Sequence, residues 1–233
     1  MGKRGKKYTQ GTESFDHSES HSLEDAVKIL KGMPVRGFDE TVELNFYLGI
    51  DGRQADQALR GTVILPNGTG KDVRIVVITQ GELVAQAEEA GADHVGGADL
   101  IAKIEGGWLD FDLLIASPDM MGQVGKLGRV LGPRGLMPNP KTGGVTRDVG
   151  QAVGESRAGR VEYRADNKSG NNAQAPIGKV SFTEEALVEN AKALSDAIIR
   201  ARPSSTKGHF IRKLILSSTM GPAIRIDPAA VAA

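Results

Sequence analysis

The chain contains no cysteine, few aromatic residues and no net formal charge, and each absence removes a class of protein. Without cysteine there is no disulfide framework, no thiolate zinc site and no cysteine nucleophile. Aromatic residues make up 4% of the chain, so a platform of stacked rings is not expected to be its main binding device. No apolar run reaches the roughly 18 to 20 residues of a membrane span, and no apolar core follows the charged N-terminus. We therefore expect a soluble, cytoplasmic protein without a signal peptide.

The zero net charge conceals a strong segregation of charge along the chain. The 29 basic and 29 acidic residues balance overall. Residues 82–119, however, hold nine acids against Lys103 alone, and residues 197–224 hold five cations and no acid. Such asymmetry predicts one surface for an anionic partner and another that keeps the protein in solution.

Both ends of the chain show the patterns of an antiparallel α+β domain. Residues 41–48 alternate between apolar and polar side chains, as expected of a strand with one covered face. Ser22 and Thr183 are suited to begin helices as N-caps. We expect flexible residues at 1–20, a short helix over 51–60, and further strands at 61–65, 161–164, 177–182, 210–216 and 223–226.

The middle of the chain has a different pattern. Residues 73–79 and 113–116 are almost entirely apolar, as expected of strands buried on both faces, and helical patterns cover 83–90, 98–105 and 148–157. Strands that alternate with helices predict a parallel sheet. We therefore predict a discontinuous α+β domain of residues 1–67 and 159–233, interrupted by a Rossmann-like, three-layer α/β domain of residues 68–158.

A glycine- and proline-rich basic stretch covers residues 121–144. Its first part has apolar residues at helical spacing and ends at Gly132-Pro133, because proline disfavours helix in the residue before it. The loop that follows is too rich in glycine and proline for a regular element. Loops of this length are often functional, and this stretch carries four cations and no acid: Lys126, Arg129, Arg134 and Lys141.

Enzyme signatures are incomplete in this sequence. Lys71 and Lys126 lack the flanking residues of a phosphate-binding loop, and only Gly81 follows the strand at 73–79. The neighbours Asp93 and His94 are a conceivable acid–base pair, although a solvated loop histidine is the simpler interpretation. A small-molecule enzyme built on the α/β domain is therefore the alternative hypothesis, without a nucleophile, cofactor or metal assigned to it.

Nucleic-acid features are more numerous. Cations release counterions from phosphate, and threonine or backbone groups can contact ribose 2′-hydroxyls in the minor groove of an RNA helix. The alternative is that these cations are merely solvent-exposed. On the expected strands and loops of the antiparallel parts they are Arg53, Arg160, Arg164, Lys168, Lys179, Lys207, Arg212 and Lys213.

The run from Leu131 to Lys141, Leu-Gly-Pro-Arg-Gly-Leu-Met-Pro-Asn-Pro-Lys, resembles the signature of the bacterial large-subunit ribosomal protein L-one family (universal ribosomal protein uL-one). Other segments agree in order over residues 22–227, among them 38–41, 48–51, 88–93, 116–119 and 218–221. The resemblance implies the interrupted two-domain layout. It also implies a ribosome-associated, monomeric, non-enzymatic protein that binds large-subunit ribosomal RNA, forms the mobile stalk near the tRNA exit site and assists release of deacylated tRNA. Repression of its own operon through the messenger leader is implied as well.

The resemblance places the RNA contacts on the domain formed by both termini. Motif by motif they fall on Phe38, Thr41, Glu43, Lys168, Lys179, Thr219, Met220 and Gly221, and the charge pattern adds Arg53, Arg164 and Lys213. Four of these residues also have a simpler explanation: Phe38 as core, Glu43 as a solvated strand position, and Met220-Gly221 as an ordinary turn.

Two positions depart from the family pattern, which commonly has histidine where this chain has Asn67 and Gln174. The loop 167–174 is also about one residue longer, which bears on the position of Lys168. Arg134 and Lys141 are expected to face tRNA or the other domain. A rigid loop that sets the angle between the domains is the equally weighted alternative.

Overall fold

The computed structural model describes residues 5–34, 36–51, 54–166 and 171–231. Its strands are β1 (Thr41–Leu48), β2 (Arg60–Ile64), β3 (Ile75–Ile78), β4 (His94–Gly96), β5 (Leu113–Ala116), β6 (Arg160–Asp166), β7 (Asn172–Lys179), β8 (Ile211–Ser218) and β9 (Ile224–Ile226). Its α-helices are α1 (Lys6–Glu13), α2 (Leu23–Lys31), α3 (Leu83–Glu89), α4 (Ala98–Glu105), α5 (Met121–Val124), α6 (Gly128–Leu131), α7 (Val149–Arg157) and α8 (Glu184–Arg200). The predicted combination of an antiparallel sheet, a small parallel sheet and helices is confirmed.

The chain divides into two compact units, Met1–Gly70 with Gly159–Ala233, and Lys71–Ala158. The first unit thus ends at Gly70, three residues beyond the predicted boundary. Asn190 is fully buried and holds this end in place, because its side chain accepts from the Asn67 N–H and donates to the Gly68 carbonyl. That the two units fold as independent domains stays a prediction.

The first unit contains a six-stranded antiparallel sheet in the order β2-β6-β7-β1-β8-β9. Side chains of β1 alternate strictly between buried and partly exposed, as its sequence pattern predicts. Helices α2 and α8 cover one face of the sheet, where the core is centred on Leu44, Phe46, Leu194 and Leu216. On the other face, called the open face below, β1 places Thr41, Glu43, Asn45 and Tyr47.

The two helices begin where the sequence predicts. Ser22 Oγ accepts a hydrogen bond from the Asp25 N–H at 3.1 Å, and Thr183 Oγ1 accepts one from the Ala186 N–H at 3.3 Å. Both side chains satisfy a backbone donor that has no partner inside its helix. Local sequence signals therefore set where each of these helices begins.

The second unit contains a three-stranded parallel sheet in the order β4-β3-β5. Ile75, Val77 and Ile115 pack with α3 and α7 on one face. Val76, Ile78 and Leu114 pack with α4 and residues 120–131 on the other face. Helices on both faces explain why β3 and β5 are apolar along their whole length.

Four local predictions are corrected. Residues 6–13, expected to be flexible, form α1, and the expected helix over 51–60 is limited to a 3-10 turn at Ala55–Gln57. The helix over 121–131 consists of α5 and α6 with a 3-10 turn at Gly125–Leu127 between them, because glycine recurs every three residues and weakens a regular helix. Strand β7 begins at Asn172 and ends at Lys179, rather than covering 177–182.

The position of β7 follows from its neighbours rather than from its own residues. The segment Asn172–Pro176 has no β-branched residue, and the sequence predicts a polar loop over residues 166–174. Hydrogen bonding to β6 on one side and β1 on the other makes it a strand.

Among the described residues, no helix is long and apolar enough to cross a membrane.

Candidate nucleic-acid interface

One end of the antiparallel sheet is closed by two threonines that bond to each other through backbone and side chain. The Thr41 N–H donates to Thr219 Oγ1 at 3.1 Å, and the Thr219 hydroxyl donates to the Thr41 carbonyl at 3.3 Å. The Thr219 N–H also donates to the Thr41 carbonyl at 3.1 Å. A hydroxyl has one donor and two acceptor positions, so one lone pair of Thr219 Oγ1 remains for a ligand donor such as a ribose 2′-hydroxyl.

Lys179 adds a positive charge at the same place. Its Nζ donates to Thr41 Oγ1 at 2.8 Å, because Thr41 and Lys179 are paired across β1 and β7. Since Thr41 Oγ1 accepts from an ammonium group, its own O–H is oriented to donate elsewhere. An ammonium and a donating hydroxyl side by side form a suitable contact for a phosphate oxygen.

The turn after β8 is held by the buried carboxylate of Glu40, which is 6% exposed. Glu40 Oε2 accepts from Ser218 Oγ at 2.7 Å and from the Met220 N–H at 2.9 Å. Arg36 Nε lies 3.4 Å from Glu40 Oε1, and the Arg36 guanidinium donates to the Met220 carbonyl at 3.2 Å. The backbone of the turn is therefore held by charged groups that precede β1.

Two large apolar side chains are exposed at this end of the sheet. Phe38 and Met220 are each 55% exposed, so Phe38 does not belong to the core. Phe38 lines a groove of about 450 Å³ beside Lys31, Arg36 and Ser181. Asp39 fixes one side of this groove, because its carboxylate accepts from both the N–H and the hydroxyl of Ser181. We call Phe38, Thr41, Lys179, Thr219, Met220 and Gly221 the threonine edge.

Gly221 completes the turn for a steric reason. A Cβ at this position would lie 2.4 Å from Ser218 Oγ, which is too close for two non-bonded atoms. The Gly221 N–H donates to the Ser218 carbonyl at 3.2 Å and closes the turn. Glycine is therefore required here to leave the Ser218 hydroxyl in its bond with Glu40.

The other sheet residues predicted for RNA lie on the open face, further from the threonine edge. Glu43 pairs with Ser217 of β8 and Pro176 of β7, one step along the face from Thr41. Arg164 pairs with Gln174, and Lys213 pairs with Tyr47, nearer the opposite end of β1. Arg53 and Lys168, which are also predicted to contact RNA, lie outside the described residues.

Arg134 and Lys141 are both exposed on the second unit. Their loop is ordered by Asn139, whose Oδ1 accepts from the Lys141 N–H at 2.8 Å. A left-handed glycine, Gly143, follows at φ 68°. A contact of this loop with tRNA or with the first unit stays a prediction.

The prediction from sequence did not assign Arg36, Asp39, Glu40 and Ser218. Asp39, Glu40 and Ser218 adjoin predicted residues, but nothing in the sequence indicates that the Glu40 carboxylate is buried. Only the pairing of β1 with β8 brings Glu40 under the turn at Ser218. The available signal was an acidic pair, Asp39-Glu40, directly before a strand.

The conceivable acid–base pair of the second unit does not form. The Asp93 carboxylate accepts from the Ile75 N–H at 2.7 Å and from Arg157 at 3.0 Å, and the Ile75 bond is the main cause that lowers its pKa. The ring of His94 instead packs edge-on against Trp108 at 5.0 Å between centroids. Over the described residues, no group of three or more His, Asp or Glu side chains is arranged to hold a metal ion.

These features define a mixed α/β protein with a polar, locally cationic surface at one end of an antiparallel sheet. The chain belongs to the Ribosomal protein L1p/L10e family, whose model matches residues 29–222. Membership of this family of structural ribosomal proteins indicates a protein of the large ribosomal subunit.

Proposed function

We propose that this protein binds large-subunit ribosomal RNA through the threonine edge. The observation that carries the proposal is the direct bonding of Thr41, Lys179 and Thr219, three residues from separate parts of the chain. They combine an ammonium, a donating hydroxyl and an accepting lone pair, which matches phosphate and 2′-hydroxyl groups along an RNA backbone. Phe38 and Met220 offer apolar contact beside them.

Family membership and this binding together support a wider role. Held on ribosomal RNA, the protein forms the mobile stalk near the tRNA exit site and assists release of deacylated tRNA, with Arg134 and Lys141 facing tRNA or the other domain. It acts as a monomer in the cytoplasmic ribosome. Off the ribosome, the same edge binds the messenger leader of its own operon and represses translation. No enzymatic step is included in this role.

The test is a titration of the protein against structured large-subunit ribosomal RNA at two salt concentrations, with an unrelated RNA hairpin as control. If about six phosphates are contacted, log affinity falls against log salt with a slope of roughly −4 to −5. Selective, salt-sensitive binding supports the proposal. Equal binding to both RNAs would contradict specific recognition, and no binding at either salt would favour a small-molecule role for the second unit.

Thr219→Ala tests the edge itself. Loss of the hydroxyl leaves the Thr41 N–H and the RNA donor without their acceptor, so we expect RNA binding to weaken by about 1 to 3 kcal/mol. Thr219→Ser keeps the hydroxyl and is the matched control. Unchanged affinity of a stably folded Thr219→Ala protein would remove Thr219 from the interface.

A further inference from the structure

A second group of side chains lies on the open face, at the end of β1 opposite the threonine edge. Tyr47 is six residues along the strand from Thr41, a separation of about 20 Å at the usual rise of a strand. It pairs with Asn172 on β7 and with Lys213 on β8. Tyr47 is partly exposed.

A β-bulge directs an additional cation to this place. Tyr47 pairs with Lys213 and Leu48 pairs with Ile211, so Arg212 has no partner residue on β1. Successive strand residues normally point to opposite faces, but a bulge re-aims the extra side chain. Arg212 and Lys213 are both exposed, and the Arg212 guanidinium carbon lies 5.9 Å from the centre of the Tyr47 ring.

The backbone beyond the bulge holds it in position. The Gly49 N–H donates to the Phe210 carbonyl at 2.7 Å. A Cβ on Gly49 would lie only 2.3 Å from the His209 carbonyl oxygen, so the two chains approach closely where no side chain intervenes. The approach of Arg212 to Tyr47 is thus built into the end of the sheet rather than being a chance surface contact.

Neighbouring residues supply polar groups of a second kind. Asn172 adjoins Tyr47 across the sheet, and the next row along the face contains Asn45 and Gln174, which pair with each other. Amide side chains carry both donors and acceptors and can bond to the edges of bases. Arg225 extends the positive charge, since it is exposed on β9 opposite Ile215.

Carboxylates on this face do not cancel the positive charge. Glu162 is paired with Arg60 at 2.6 Å. Asp166 pairs in register with Asn172, and Glu43 lies four residues before Tyr47 on the same strand face. These carboxylates are outnumbered by exposed cations, namely Arg164, Arg212, Lys213 and Arg225.

We propose that Tyr47 and the bulge at Arg212 form a separate site for an unpaired RNA nucleotide. The base stacks on the Tyr47 ring, the amide side chains bond to its edge, and Arg212 with Lys213 contacts the adjoining phosphates. Every base has an aromatic face, so such stacking tolerates any sequence, and a sheet face is an established place for it. With a single ring in place, the site holds one base. This proposal rests on the proposed function, because both sites belong to the same RNA-binding sheet.

The experiment uses the full chain and two probes: a blunt large-subunit ribosomal RNA helix, and a free ten-nucleotide oligouridine. Wild type is compared with Tyr47→Ala, Tyr47→Phe and Arg212→Gln, and Lys192→Gln, an exposed change on α8, is the matched control. Circular dichroism melting confirms that each variant is folded.

We expect Tyr47→Ala to weaken oligouridine binding by about 10-fold, the effect of losing one stacked base. Tyr47→Phe keeps the ring and should keep most of the oligouridine binding. Arg212→Gln should weaken this binding, whereas Lys192→Gln should not. Thr219→Ala is expected to weaken binding of the blunt helix.

Two results would overturn the proposal. One is that the wild type does not bind oligouridine, and the other is that wild type, Tyr47→Ala and Arg212→Gln bind it equally. Should Tyr47→Ala fail to fold, Arg212→Gln decides the outcome alone, because its side chain is exposed. Failure of the proposed function is a distinct result: the blunt helix then does not bind, whatever the Tyr47 variants do with the oligonucleotide.

Discussion

The geometry of the threonine edge depends on the carboxylate of Glu40. It is buried, it accepts from Ser218 and from the Met220 N–H, and Arg36 lies beside it. We expect Glu40→Gln to lose the charge-assisted bonds and to destabilise the first unit by about 1 to 3 kcal/mol, with weaker RNA binding. Urea unfolding and RNA titration measure the two effects. Glu19→Gln, at an exposed position, is the control, and equal behaviour of the two variants would show that Glu40 does not hold the turn.

Gly221 acts on the same carboxylate through Ser218. In Gly221→Ala the new methyl group would lie 2.4 Å from Ser218 Oγ, so the hydroxyl must leave Glu40. We expect loss of stability and of RNA affinity. Adding Ser218→Ala removes the clash, so the double variant should lose less stability than the sum of the two single changes.

Gly122→Ala, where a Cβ meets no atom within 4 Å, controls for the loss of a glycine. Thermal unfolding of the three variants and the control measures the coupling. Additive losses would mean that the turn adapts to the methyl group without displacing Ser218.

Among the elements, β3 is anchored just before its first residue by ionised side chains. Asp112 accepts from Lys71 at 2.8 Å and from Arg74 Nε at 3.0 Å, and these bonds, that of Lys71 first, lower its pKa from 3.8 to about 2. A depressed pKa stabilises the folded state above the unfolded value of 3.8, and this contribution is lost as the pH falls toward about 2. Strand β3 is thus tied to the residue before β5 most firmly near neutral pH.

We therefore expect Asp112→Asn to lower the melting temperature of the second unit at pH 6 and to have a much smaller effect near pH 2. The difference between wild type and variant should shrink between about pH 4 and pH 2. Trp108 is the only tryptophan and lies in the second unit, so its fluorescence reports this transition. Glu88→Gln, exposed on α3, should show no such pH dependence; a constant difference for Asp112→Asn would contradict the assignment.

For the whole molecule, the two places where the chain leaves and re-enters the first unit lie in contact. The Leu65 N–H donates to the Gly159 carbonyl at 3.2 Å, and a Cβ on Gly159 would lie 2.4 Å from the Cα of Gly68. Gly159 has φ 98°, which suits glycine alone. A direct connection here requires no long linker.

We expect a protein that joins residues 1–67 directly to 159–233 to fold and to retain most of the RNA affinity. Circular dichroism and RNA titration measure this, with Thr219→Ala in the shortened protein as the control for specific binding. An unfolded product would contradict the independence of the two units. A folded product without affinity would show that the second unit contributes to the interface.

The sequence determined those features that a short segment can specify. Three features appear as predicted: the alternation of β1, the caps at Ser22 and Thr183, and the apolar strands of the second unit. Each of them depends on neighbours within a few residues. The signature at 131–141 and the segments that accompany it identified the family, since a long run of specific residues does not depend on the three-dimensional structure for its recognition.

Only the tertiary structure decided how distant residues meet. Thr41, Lys179 and Thr219 bond at one point because β1 lies between β7 and β8, and no local pattern specifies the register of such pairing. The burial of Glu40 and the bulge at Arg212 follow from the same register. Strand β7 was misplaced for this reason too, because its ladder partners, and not the propensities of Asn172 to Pro176, make it a strand.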